Sequence, residues 1–351
     1  ILIKYGFGHV VEQLNIDYYL ELGRRIVTLG TATKEIERLN QPQRLRLAME
    51  ELGPTFVKLG QVLSTRPDLI PQEYAAEFSK LQDKVPPENT DSIREQIELE
   101  LGQPVNELFV DFRDEPIAAA SIGQVHLAQL KSGEKVVVKV LRPGISHTIE
   151  TDLDILMGLA YLVENHLPEG LIIDPIAIVR EFRRIVQREL DFTREAHTID
   201  RFAANFEDDE TVFIPKVHWQ YSGTTTLTMD FVDGIKVSET ERLKAEGYEL
   251  PEIARNGADA FLRQVLEFGL FHGDPHPGNV ICMLDYGMVG HLDDSLKYHL
   301  LDLIICVVER DTDRLISQLV YAGDISEETD RKQLKRDLSE FLDDYHEISL
   351  Q

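Results

Sequence analysis

The chain has 351 residues, of which 43% are hydrophobic and 28% charged, a composition typical of a globular protein with a sizeable core. Its formal net charge of −26 argues against nonspecific nucleic-acid binding and against docking on anionic lipid by charge alone, because both require an excess of Lys and Arg. Cys282 and Cys306 do not form a CxxC pair, so neither a zinc framework nor a disulfide framework is expected.

The chain up to about residue 105 has the apolar spacing of helices. Helices are predicted over 41–52, 54–64, 72–82 and 91–101. Gly53-Pro54 ends the first and starts the second, because proline is tolerated in the first turn of a helix.

The pattern changes near residue 108, where runs rich in β-branched and aromatic residues predict strands. These runs are LFVDF, GQVHLAQL, KVVVKVL, IPKVHWQ and TTTLTMDFV, and the turn KSGE joins the second to the third as a hairpin. Helical patterns cover about 145–167 and 175–205, and the chain after residue 250 is mostly helical. Three parts are therefore predicted: a helical extension (1–105), a strand-rich lobe with inserted helices (106–232) and a helical lobe (233–351).

Two neighbouring segments of the strand-rich lobe are candidates for binding a ligand. Lys139 follows three valines, and the alternation of side chains along a strand allows it to point into a cleft, although a solvated lysine is the alternative. The stretch IAAASIGQV has small residues whose backbone N–H groups could cradle a phosphate, although a close-packed hairpin turn would look the same. Its candidate residues are Ala118, Ala119, Ala120, Ser121, Ile122, Gly123, Gln124 and Val125.

Two further segments follow along the chain. The stretch QRELDFTREA carries Glu189, Asp191 and Glu195, which form either a solvated charged helix or a source of carboxylates for a strand lysine. The apolar run TLTMDFVDG fits a hinge between lobes, where the backbone at Met229 and Val232 could contact an adenine.

The segment FHGDPHPGN contains the polar residues with the most specific spacing. Asp274 and Asn279 are five residues apart, as are the Asp that orients the attacking hydroxyl and the metal-binding Asn of the kinase catalytic loop. The Asp285-Tyr286-Gly287 sequence is similar to the D-F-G motif, whose Asp binds Mg²⁺. His272 and His276 are not expected to bind zinc, because the intervening prolines disfavour a helix and no third ligand is evident.

The ordered set Lys139, Glu195, Asp274, Asn279 and Asp285 resembles the protein-kinase-like superfamily. Lys58-Leu59-Gly60-Gln61 (a KxGQ motif), the alanine-rich loop and RELDF narrow the resemblance to the UbiB, or AarF-type, family of atypical kinases, over about residues 45–292.

The resemblance implies an α+β, bilobal protein-kinase-like fold whose N-terminal helical extension carries the KxGQ motif. It implies ATP or ADP and Mg²⁺ as cofactors, with Asp274, Lys139 and Glu195 catalytic and with Asn279 and Asp285 on the metal. Lys58 and Gln61 would face the nucleotide phosphates, with Lys58 near Glu189 or Asp191, and Lys139 would pair with Glu195.

The resemblance also implies a role in ubiquinone or other isoprenoid-quinone metabolism. The expected partners are a prenyl lipid or quinone precursor and quinone-biosynthesis proteins, not nucleic acid. The expected location is intracellular, either soluble or peripherally attached to a bacterial cytoplasmic membrane or an organelle membrane.

One departure and two alternatives stand beside this interpretation. Only VICML separates Asn279 from Asp285, too few residues for the hairpin of ordinary kinases, so we interpret the hairpin tip as missing near Cys282. A true deletion would make it difficult for Asp285 to reach the metal. The alternatives are a small-molecule phosphotransferase of the aminoglycoside or choline kinase type, which shares HGDxHxGN, and a non-catalytic nucleotide- or lipid-binding scaffold.

Overall fold

The structure, a computed structural model, describes residues 1–2, 4–7, 39–66, 69–81, 86–164, 174–273, 286, 289–322, 325 and 329–346. The chain divides into two compact units. Unit 1 comprises Ile1–Asp200 with Lys216–Val232, and unit 2 comprises Arg201–Pro215 with Asp233–Gln351.

Helices of the extension open unit 1 and form a small core of their own. They are α1 (Gln41–Leu52), α2 (Pro54–Ser64) and α3 (Gln72–Phe78). Asn40 caps α1 through a capping box, and Gly53 with Pro54 separates α1 from α2 as predicted. Met49, Val57, Phe78 and Leu81 are buried together between these helices.

A mixed region of helices and strands completes unit 1. Its elements in chain order are α4 (Thr90–Leu101), α5 (Val105–Leu108), β1 (Phe109–Phe112), β2 (Ala118–Ala119), β3 (Gly123–Leu130), β4 (Lys135–Leu141), α6 (Ile145–Glu164), α7 (Pro175–Glu189), α8 (Phe192–Asn205) and β5 (Thr226–Asp230). The last residues of α8 belong to unit 2.

The antiparallel sheet of unit 1 has the order β1-β3-β4-β5, with β2 pairing against β3. One face of β4, formed by Val136, Val138 and Val140, is buried against Ile93 and Ile97 of α4. Because successive side chains of a strand alternate, the intervening Lys139 projects from the opposite face.

Close approach of β3 to β4 explains a glycine at the start of β3. A Cβ built on Gly123 would lie 2.7 Å from the Val140 carbonyl oxygen. Any other residue at this position would therefore push the two strands apart at the end of the sheet next to the alanine-rich loop.

Unit 2 is mostly helical. Its further elements are α9 (Thr240–Ala245), α10 (Leu250–Leu262), a π-helix (Arg263–Phe268), β6 (Leu270–His272), β7 (Val289–His291), α11 (Asp294–Glu309), α12 (Thr312–Ala322) and α13 (Arg331–His346). The strands β6 and β7 form an antiparallel pair. In the described part of the chain, no helix is both long and apolar enough to cross a membrane.

Two predicted elements are wrong in detail. IPKVHWQ forms a single bridge, Val217 to Met229, and then a 3₁₀ turn, because Pro215 lacks an N–H and the turn bonds locally. The helical pattern over 175–205 is two helices separated at Leu190 and Asp191.

Candidate functional site

An ion pair between the central strand and a helix lies at the centre of the candidate site. Lys139 Nζ on β4 donates to both carboxylate oxygens of Glu195, each at 2.9 Å. The Glu195 side chain is 7% exposed and that of Lys139 is 21% exposed, so water screens the pair only partly. Lys139 Nζ also lies 5.1 Å from the centre of the Phe192 ring.

The break between α7 and α8 places Glu195 in the first turn of α8. The Phe192 N–H donates to the Thr224 carbonyl at 2.9 Å, and Glu100 accepts from the Thr224 N–H and from the Thr225 hydroxyl. These bonds fix the start of α8, where the positive end of the helix dipole favours a carboxylate. Sequence reasoning missed Glu100, because its contacts join residues more than 100 positions apart.

A second ion pair joins the extension to the helix before the break. Lys58 Nζ on α2 lies 2.9 Å from Glu189 Oε2 at the end of α7, and these side chains are 18% and 9% exposed. The Thr55 hydroxyl, one turn earlier on α2, donates to Asp152 of α6. The lysine of the KxGQ stretch is therefore held within unit 1 by a largely buried carboxylate.

Gln61 and Asp191, two further predicted site residues, also make contacts within unit 1. The Gln61 amide donates to the Leu81 carbonyl at 3.4 Å. Asp191 accepts from the Thr193 N–H at 3.1 Å and lies 3.3 Å from Arg194, so it caps the start of α8. The structure thus brings Lys58 to Glu189 rather than to Asp191.

The alanine-rich loop is a tight connection between β2 and β3. Ala118 pairs with Val125 and Ala119 with Gln124, while the Ala120 N–H donates to the Gly123 carbonyl at 2.8 Å. The Ala120 N–H is therefore used to close the turn. The side chains of Ser121 and Gln124 are buried and Ile122 is half-buried, so any contact from Ser121 or Gln124 to a ligand would come from the backbone.

The predicted hinge residues lie at the end of β5. Met229 is buried, pairs with Val137 on one side and bridges to Val217 on the other, so its backbone belongs to the sheet. Val232 is half-buried beyond the strand. Between them, Asp230 accepts from His218 Nε2 at 2.8 Å.

In unit 2, the structure describes the first three residues of FHGDPHPGN. His272 ends β6, is buried, and its N–H donates to the buried Gln264 side chain at 2.9 Å. Its ring meets Tyr286 edge-to-face at 5.8 Å. The predicted residues Asp274, Asn279 and Asp285, together with His276, lie outside the described residues.

A buried polar chain behind the alanine-rich loop was also missed from the sequence. His126 Nδ1 lies 2.8 Å from the Arg113 carbonyl, which can only accept, so Nδ1 carries the proton. His126 Nε2 then accepts from the Gln124 amide at 2.7 Å, and the Gln124 oxygen accepts from the Glu88 N–H at 2.9 Å. Donor and acceptor are therefore defined in each of these three hydrogen bonds when His126 is neutral.

We expect the hydrogen bonds of His126, Gln124 and Glu88 to make the stability of unit 1 depend on pH. Burial lowers the pKa of His126 below its ordinary value of 6.5, against smaller opposing effects of the Arg113 carbonyl and Asp114 and a small supporting effect of Arg94. The unfolded chain therefore binds the proton first, and stability is lost as pH falls below 6.5. Protonation would also reverse the Gln124 amide and break its bond to Glu88.

Urea unfolding followed through Trp219, the single tryptophan, measures this dependence because that residue lies in unit 1. The urea concentration at the unfolding midpoint should decrease when the pH is lowered from 7 to 5. The decrease should be smaller in His126→Asn, because asparagine keeps a donor but does not titrate. An equal decrease of the midpoint in the two proteins would show that His126 is not the source of the pH dependence.

The sheet, the strand lysine and its helix glutamate define a protein of the kinase-like class, in which this pair orients nucleotide phosphates. A family model for the ABC1 atypical kinase-like domain matches residues 80–319, more than half of the chain. The chain belongs to that family, and both the α+β kinase-like fold and the resemblance to UbiB proteins are confirmed.

Three relatives illustrate this membership. Uncharacterized protein sll1770 of Synechocystis is 40% identical over 88% of this chain and 54% of its own length. Protein ACTIVITY OF BC1 COMPLEX KINASE 7, chloroplastic, of Arabidopsis thaliana is 39% identical over 85% and 44%. A probable protein kinase UbiB of Marinobacter nauticus is 38% identical over 83% and 55%. The chain spans about half the length of these curated relatives.

A solved structure of Rv3197 from Mycobacterium tuberculosis, described as a complex with erythromycin, has the same fold. It superposes with a TM-score of 0.59 at 24% sequence identity, covering 91% of this chain and 77% of that one.

Proposed function

We propose that this chain is the ATP-binding part of a Mg²⁺-dependent atypical kinase or ATPase that acts in ubiquinone or other prenyl-lipid biosynthesis. The observation that carries the proposal is the Lys139–Glu195 pair, because a lysine held by a glutamate in this way is positioned to orient ATP phosphates. Asp274, Asn279 and Asp285 are proposed to orient the acceptor and to hold Mg²⁺, a metal that prefers oxygen ligands.

Family membership supports the nucleotide part of the proposal, and one relative carries the name of a UbiB kinase. The lipid part rests on the resemblance to UbiB proteins. Contact of the protein with a membrane surface, and with other quinone-biosynthesis proteins, belongs to the same proposal.

ATP hydrolysis by the purified chain with Mg²⁺ tests the proposal. We expect turnover that Asp285→Asn abolishes and that a prenylated phenol in detergent micelles raises above detergent alone. Turnover only with a soluble hydroxylated acceptor would instead indicate a small-molecule phosphotransferase. Nucleotide binding without any turnover would indicate a scaffold.

The alanine-rich loop yields a separate prediction on nucleotide preference. No residue of the loop has a positive φ, so alanine is unstrained there, and Ala120→Gly adds freedom without relieving strain. A freer backbone at this position changes how the loop sits over the phosphates, and the ATP-to-ADP affinity ratio should change about two- to fivefold. Titration calorimetry with each nucleotide measures the ratio.

Ala245→Gly is the control, since it makes the same change at an exposed helical position of unit 2. Unchanged ATP and ADP affinities in Ala120→Gly would count against a role of the loop in nucleotide binding.

A further inference from the structure

We infer that Arg142 is a positioning residue for the nucleotide phosphates, and that it acts by fixing the backbone of the alanine-rich loop to residues 86–88. The inference rests on the proposed function, which supplies the nucleotide. Arg142 itself is buried, with 7% of its side chain exposed.

Arg142 bonds to two parts of the chain at once. Its Nε donates to the Ala120 carbonyl at 3.0 Å. Its Nη1 donates to Glu88 Oε1 at 2.8 Å and its Nη2 to the Pro86 carbonyl at 2.9 Å. We call these four residues the Arg142 cluster. The planar guanidinium supplies the three directions together, which a lysine ammonium on its flexible stem does not.

The backbone of the same residue holds the other end of the loop. The Arg142 N–H donates to the Ile122 carbonyl at 2.9 Å, while the Ala120 N–H is occupied by the Gly123 carbonyl. The carbonyls of Ala120 and Ile122 are therefore both fixed to one arginine.

Holding the Ala120 carbonyl also orients the next N–H group. The peptide between Ala120 and Ser121 is planar and trans, so its N–H points opposite to its carbonyl. With the carbonyl on Arg142, the Ser121 N–H is directed away from Arg142. Backbone N–H groups of such loops are donors to phosphate, so the arginine sets the direction of a donor without contacting the ligand.

A second contact holds the other partner of the cluster in place. The Glu88 N–H donates to the buried Gln124 side chain, which the His126 chain fixes in turn. Glu88 is thus attached through both its backbone and its carboxylate. The loop can move relative to residues 86–88 only by breaking these bonds.

Arg142→Lys and Arg142→Gln test the inference, with Arg94→Gln as the matched control. Arg94 also bonds a carboxylate and a carbonyl in unit 1, those of Asp114 and Phe112, and neither of these belongs to the Arg142 cluster. ATP affinity is measured by calorimetry with Mg²⁺, and backbone freedom by hydrogen exchange of peptides covering residues 118–124.

We expect both Arg142 variants to increase exchange in the loop and to weaken ATP binding roughly tenfold, because hydrogen bonds to a charged group are lost. Arg142→Lys keeps the charge beside Glu88 and should recover thermal stability without recovering ATP affinity. If Arg142 had only a structural role, Arg142→Lys would recover thermal stability and ATP affinity together. Arg94→Gln should change neither loop exchange nor affinity.

Two results would overturn the inference: unchanged loop exchange in both Arg142 variants, or increased exchange with wild-type ATP affinity. If the wild-type chain binds no ATP, the proposed function and the phosphate role fall together. The exchange measurement then still decides separately whether Arg142 fixes the loop.

Discussion

Glu195→Gln should lower ATP turnover by about 100-fold, because Lys139 then keeps its charge but loses the carboxylate that orients it. Lys139→Met should cost a similar factor. The double variant should lose little more than either single one, because the two residues act as a unit. Steady-state ATP hydrolysis with Mg²⁺ measures all three.

The control is an ion pair of the same length on the surface. Lys244 and Glu241 lie 2.9 Å apart with 56% and 87% of their side chains exposed. Lys244→Met removes the same charge from a pair that contributes little, so turnover should stay at the wild-type level. Wild-type turnover in Glu195→Gln would remove Lys139 from the proposed mechanism.

Lys58→Met should destabilise unit 1 by about 2 kcal/mol, because it removes a charged hydrogen bond to a carboxylate that is only 9% exposed. The double variant Lys58→Glu, Glu189→Lys exchanges the two charges and should recover part of the lost free energy of unfolding. Urea unfolding followed through Trp219 reports on unit 1 and measures both variants.

Arg184→Met is the matched control for this prediction. Arg184 lies on α7, the helix that ends at Glu189, and its pair with Glu181 is 3.4 Å long with 63% and 50% exposed side chains. Its loss should change the free energy of unfolding by less than about 0.5 kcal/mol. Equal effects of Lys58→Met and Arg184→Met would show that the α2–α7 contact does not stabilise the unit.

The sequence predicts that Lys139 projects from the face opposite Val138 and Val140, because strand alternation is a local rule, but it does not decide between a cleft and solvent. Alternation along KVVVKVL puts Val136, Val138 and Val140 on one buried face and Lys139 on the other, where Val137 and Leu141 are buried beside it. The partner of that lysine could not be derived from spacing. Only the resemblance to kinases points to Glu195, since the position of this residue depends on packing across the unit.

The break between α7 and α8 had a local signal that periodicity concealed. Asp191 is a good helix N-cap, but no Gly or Pro precedes it, so periodicity alone predicts a continuous helical pattern from 175 to 205. Because of the break, Glu189 pairs with Lys58 of the extension, whereas Glu195, six residues later, pairs with Lys139 of the sheet.

The Arg142 cluster had no signal in the sequence. An arginine after a strand and before a proline is usually solvent-exposed, and its partners lie 22 to 56 residues earlier in the chain. Only the folded structure brings the alanine-rich loop to residues 86–88. The loop's composition was informative from the sequence, whereas the contacts that hold it were not.

The central claim is that Lys139 and Glu195 form part of an ATP site, and titration calorimetry of the wild-type chain and Lys139→Met with ATP and Mg²⁺ tests it most directly. The account predicts saturable binding by the wild type and at least roughly tenfold weaker binding by the variant. No binding by the wild-type chain, or equal affinity in the two proteins, would contradict it.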